Sequence, residues 1–116
     1  MRLVLVLLLA SACVRGGNLP PPAVDHNREG VALLEAGDLD AAEARFRLAL
    51  EYHPRFAEPR ANLGLVLLRR GDLDGAENEL RTAIALDPAF DEAWSGLGVV
   101  LEARGDRAAA AEAWER

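Results

Sequence analysis

The sequence predicts an all-α chain: a solenoid of about three helix-turn-helix repeats standing behind a short leader and a flexible tether. Three observations carry this. The chain repeats itself every 34 residues from His26 onward, so Gly30, Gly64 and Gly98 are equally spaced, as are Gly37, Gly71 and Gly105, Asp38, Asp72 and Asp106, and Ala42, Ala76 and Ala110. Each period holds two segments with apolar residues at helical spacing, as in Leu63 and Leu67, then Ala76, Leu80, Ala83 and Ile84. The chain is 51% hydrophobic but only 5% aromatic, so Ala, Leu and Val fill the core, which suits helices better than a sheet. Its 116 residues leave room for one compact unit.

The N-terminal segment reads as an export signal over residues 1–12. Met1-Arg2 supplies one positive charge, and eight apolar residues follow, from Leu3 to Ala10. As a helix those eight would span roughly 12 Å at about 1.5 Å each, far short of a bilayer core of about 30 Å. Ala10-Ser11-Ala12 offers the small side chains a signal peptidase accepts, and Cys13, the only cysteine, comes next. This segment resembles the lipobox of bacterial lipoproteins, although Ala10 stands where that family most often has Leu. The resemblance implies a diacylglycerol on Cys13, cleavage before it, and stable attachment to a membrane by two or more acyl chains. Simple cleavage after Ala12, giving an exported protein with a free thiol, is the other reading of the same residues. Val14 follows in place of the Asp that marks inner-membrane retention, which by the same resemblance points to the periplasmic face of the outer membrane. Residues 13–22, with Gly16-Gly17 and Pro20-Pro21-Pro22, read as a tether.

Helices are predicted near 24–36, 39–52, 57–70, 73–86, 91–104 and 107–115, in repeats 23–56, 57–90 and 91–116. Gly30 to Pro54 and Gly64 to Pro88 share twelve of twenty-five positions. Gly64 and Ala76 are small where two paired helices must approach closely. Gly71 supplies the left-handed residue that ends the first helix of a pair, and Asp72 caps the second. Pro88 cannot donate an amide to prolong it. In the first copy His26 and Glu29 stand where later copies have Arg60 or Trp94 and Leu63 or Leu97, as befits a terminal repeat with a polar outer face. The third copy leaves Trp114 and the alanines from Ala108 to Ala113 with little to cover them.

These features resemble the tetratricopeptide repeat, with Trp94, Leu97, Gly98 and Leu101 matching its first helix and Ala42, Phe46, Ala49 and Pro54 its second. The resemblance implies a groove lined by the first helix of each pair and binding a protein or peptide segment. It assigns Asn27, Val31, Leu34, Ala61, Leu65, Leu68, Ser95, Val99 and Glu102 to that groove. Packing between neighbouring repeats is the competing assignment for any one of them. Some members clamp a peptide carboxylate with Lys, Arg and Asn; this chain has no Lys, and only Asn27 and Asn62 are suitable.

Other function classes find little material. The net charge of −6, with all thirteen basic residues Arg, repels phosphate backbones, so no nucleic-acid partner is expected. His26 and His53 lack metal-ligand spacing, and no metal or cofactor is expected. Ser11 and Ser95 are the only serines, and neither lies in a nucleophile elbow. Gly96-Leu97-Gly98 falls within a helix and is no nucleotide fingerprint. Glu77, Glu79 and Asp91 read as solvating charge. The expectation is a non-enzymatic, membrane-anchored adaptor, similar in design to pilotins that assist envelope assembly. The alternatives are a module that stacks on a second copy through its C-terminal end, or a fragment of a larger enzyme.

Overall fold

The computed structural model describes residues 20–116, which form six α-helices joined by tight turns. The expected signal segment and Cys13 lie outside the described residues. The helices are α1 (Pro21–Glu35), α2 (Leu39–Tyr52), α3 (Ala57–Arg69), α4 (Leu73–Leu86), α5 (Asp91–Ala103) and α6 (Arg107–Trp114). Helix α1 opens earlier than the spacing predicts. Pro21 and Pro22 occupy its first turn, where a missing amide costs nothing because it would have no helical acceptor, so these two residues belong to the array and not to the tether. Pro59 is accommodated in the first turn of α3 for the same reason.

The turn within each pair is written identically three times. Gly37, Gly71 and Gly105 take φ of 83°, 81° and 85°, the left-handed region that glycine enters without a Cβ clash. Each glycine amide donates to the carbonyl three residues back, and the following Asp amide donates to the carbonyl five back, as in Asp72 N to Leu67 O at 2.9 Å. The Asp side chain then accepts from the third amide of the next helix, Asp38 from Ala41, Asp72 from Gly75 and Asp106 from Ala109, at 3.0–3.2 Å.

The paired helices close on glycine. A Cβ on Gly64 would stand 2.7 Å from Leu80 Cγ and 3.2 Å from the Ala76 carbonyl; one on Gly30 would strike the Phe46 ring, and one on Gly98 the Trp114 ring. Two apolar clusters result. Ala23, Leu34, Ala42, Phe46, Leu50, Phe56, Leu63 and Val66 join the first pair to α3, while Ala76, Leu80, Ala83, Ala93, Leu97, Val100, Leu101, Ala110 and Ala113 join the second pair to the third.

Arginines reach back across each junction. Arg70 pairs with Asp40 and, at 2.7 Å, with Glu43; Arg104, 34 residues on, pairs with Asp74 and, at 3.0 Å, with Glu77. The corresponding positions of the outer repeats are Ala36, Ala108 and Ala111.

Candidate functional site: the face of the first helices

Helix α1 touches α3, and α3 touches α5, whereas α2, α4 and α6 do not touch one another. The first helices are therefore the closer-spaced row, and the stack curves so that α1, α3 and α5 lie on its inner side.

Val31, Leu65 and Val99 share one register on these three helices. Val31 and Leu65 are half-buried, and Val99 is 45% exposed. Seven residues earlier, nearly two turns and so on the same side, stand Val24, Glu58 and Glu92. The remaining groove assignments divide by repeat. Leu68 is half-buried against the second cluster, and Ser95 and Glu102 are exposed.

Asn27, Leu34 and Ala61 are corrected: all three are buried. Their positions face the first helix of the next repeat, so α3 covers Asn27 and Leu34, and α5 covers Ala61. Buried Asn27 is satisfied by its neighbours across that junction. Its Oδ1 accepts from Asn62 Nδ2 at 3.0 Å, and its own Nδ2 donates to Glu58 Oε2 at 3.2 Å. Leu34 contributes its carbonyl, which accepts from Arg69 Nη1 at 2.8 Å. Both asparagines that a peptide clamp would need are thus committed to each other.

Spacing alone does not reveal a second feature beside this face. A cleft of about 670 Å³ opens between the α2–α3 turn and the α4–α5 turn, lined by Arg55, Phe56, Ala57, Glu58, Leu86, Asp87 and Phe90. Phe56 and Phe90 are 34 residues apart and precede equivalent helices, which was the available signal. A smaller cleft of about 120 Å³ near the C-terminal end includes Trp94, Leu97, Ala113 and Arg116, with the Arg116 guanidinium 5.7 Å from the Trp94 ring centroid.

Two family models described as tetratricopeptide repeat match the chain, one over residues 61–116 and one over 33–85. No match is found among curated protein sequences. Among solved structures, MamA aligns with a TM-score of 0.72 and 25% identity over 80% of this chain and 54% of its own. This chain thus spans about half the length of MamA. The second tetratricopeptide domain of Spaghetti (RPAP3), bound to the Hsp90 peptide SRMEEVD, aligns with a TM-score of 0.76 and 20% identity over 82% of this chain and 88% of its own. The first Spaghetti domain, bound to the same peptide, gives 0.76 and 20% over 81% and 75%.

Proposed function

We infer, from the premise that this chain is a tetratricopeptide-repeat protein, that it is a binding module which holds a segment of another protein against the inner face of its first helices. The observation that carries this is the row Val31, Leu65 and Val99. Three apolar side chains repeat at one register on the inner side, and the last is 45% open to solvent where nothing in the fold requires an apolar residue. Leu68, Ser95 and Glu102 extend that surface, and a partner segment laid across α1, α3 and α5 would bury it as helix-in-groove and extended-peptide complexes do. The acidic peptide SRMEEVD bound to the Spaghetti domains is not the chemistry this face offers, since Glu58 and Glu92 border the row and the chain contains no lysine.

The leader adds a location. A single arginine, eight apolar residues, small residues and Cys13 support export with lipidation of Cys13, placing the array at the periplasmic face of the outer membrane as an adaptor for envelope assembly. One experiment tests both halves: affinity capture from membranes with the intact chain, Val99→Glu and Cys13→Ala. Val99→Glu puts a charge on an exposed position, so it should abolish partner capture while leaving helicity unchanged. Cys13→Ala should release the protein from membranes washed in high salt. Undiminished capture by the first variant, or retention of the second, would overturn the corresponding half.

A further inference from the structure

We propose that the outward face of α6 is a self-association surface, against which a second copy of this chain packs its own α6, antiparallel, about a two-fold axis beside Ala111. Arg107, Ala108, Ala111, Trp114 and Glu115 recur at helical spacing on one side of the helix, and all five are exposed. Self-association here is separate from the capture of a partner segment on the inner face.

The face is where α6 abandons the pattern of the other second helices. Over their first ten positions α2 and α4 agree at five: Leu39 and Leu73, Asp40 and Asp74, Ala42 and Ala76, Glu43 and Glu77, and Arg47 and Arg81. Helix α6 keeps only the buried one, as Ala110, and the other four become Arg107, Ala108, Ala111 and Glu115. Both carboxylates that receive the next repeat's arginine at the internal junctions are therefore gone, and the last charge is reversed. A further repeat of the same design would find nothing there to hold its arginine. Nor is this a water-facing cap. At the opposite end α1 turns Asp25, Arg28, Glu29 and Glu35 to solvent, whereas α6 turns out two alanines and Trp114, which is 49% exposed.

Charge and symmetry select the occupant. Arg107 opens α6 and Glu115 closes it, so each charge stands at the end of the helix dipole that disfavours it. Neither lies in an ion pair among the described residues, and at roughly 12 Å apart along the axis, from about 1.5 Å per residue, they do not satisfy each other. An antiparallel copy corrects both faults. Under a two-fold beside Ala111, residues equally far before and after it meet: Arg107 meets Glu115 of the second copy at the C-terminal end of its helix, and Ala108 meets Trp114. Each pair occurs twice. The Trp114 ring gains cover on the side that α5 leaves open, and Ala108 and Ala111 let the axes approach closely. A parallel two-fold would instead set Arg107 against Arg107. One short helix buries a modest area, so the dimer is weak, with a Kd of about 10–100 µM.

The test is sedimentation equilibrium of the full chain carrying Cys13→Ala, in a density-matched non-ionic detergent, from about 1 µM to about 500 µM. The chain should pass from monomer to dimer across that range. Arg107→Glu and Glu115→Arg each set like charges together at both ends of the contact, so either should weaken association at least tenfold, about 1.4 kcal/mol. Combined, they restore both pairs in reversed order, and the affinity should return to within about threefold of the starting value. Glu35→Arg makes the same change of charge at the far end of the stack and should alter association by less than about twofold. Circular dichroism confirms that each variant folds. A chain that stays monomeric, a dimer indifferent to the two single reversals, or a double variant no tighter than either single one would overturn the proposal.

Discussion

The second and third repeats share a local design and differ in which described helices pack against them. Both turn on a left-handed glycine, both cap the second helix with Asp, and both seat a large side chain of that helix on the glycine of the first. In the second repeat that side chain is Leu80, fully buried; in the third it is Trp114, which remains 49% exposed. The difference arises because α5 packs on the second pair, while α6 meets, among the described helices, only its own partner α5. In a stacked array, burial is supplied by the next repeat, so equal local sequence does not give equal stability.

The largest test of that contrast is truncation of the two equivalent side chains. Leu80→Ala removes a buried group with neighbours on both sides and should cost about 2–5 kcal/mol. Trp114→Ala deletes a larger side chain yet should cost only about 1–2 kcal/mol, because half its surface already meets water. Urea unfolding followed by circular dichroism measures both. Equal costs would show that the third repeat is supported as fully as the second.

A smaller effect sharpens the comparison from the glycine side. Gly64→Ala forces a methyl group against Leu80 Cγ at 2.7 Å and a backbone carbonyl at 3.2 Å, neither of which can retreat, and should destabilise by about 1–3 kcal/mol. At Gly98 the obstacle is the Trp114 ring, whose open side lets it swing outward. Gly98→Ala should therefore cost less than about 1 kcal/mol and increase the exposure of Trp114, read as a red shift in its fluorescence. A loss as large as that at Gly64 would mean that the ring is fixed.

The features that could be read in advance are those fixed by local chemistry. The glycine and aspartate of each turn, the close approach at Gly64 and Ala76, and the spans of α2 and α4 follow from requirements within one hairpin. The first turn of α1 was misassigned because a proline run satisfies either an extended tether or a helix start, and only packing of Ala23 against the first cluster decides between them. Asn27, Leu34 and Ala61 were misplaced for a related reason. Periodicity shows that they share a side of the first helices, but whether that side meets solvent or the next repeat depends on how tightly the repeats stack. The cleft was missed because it is built from two turns 34 residues apart, neither of which has a groove of its own.

The arginine links between repeats set a last and smaller contrast, between the junctions and the outer ends. Glu43 receives Arg47 from its own helix at 2.7 Å and Arg70 from α3 at 2.7 Å. Hydrogen bonding from Arg47 lowers its pKa; partial burial opposes this and Arg70 reinforces it. A carboxylate with a depressed folded-state pKa contributes stability that is complete above its ordinary value of 4.5 and is lost as pH falls through the folded value. Glu43→Gln should therefore change stability slightly at neutral pH, as exposed and part-exposed ion pairs generally do, and flatten the decline in unfolding midpoint below about pH 4.5. Ala111 holds the same register in α6, where Glu115 stands at the position of Arg47 and no arginine of a following helix is present in the described array, so Ala111→Glu should leave that acid limb unchanged. A steeper acid limb in Ala111→Glu would show that a carboxylate at this register is stabilised with neither arginine beside it.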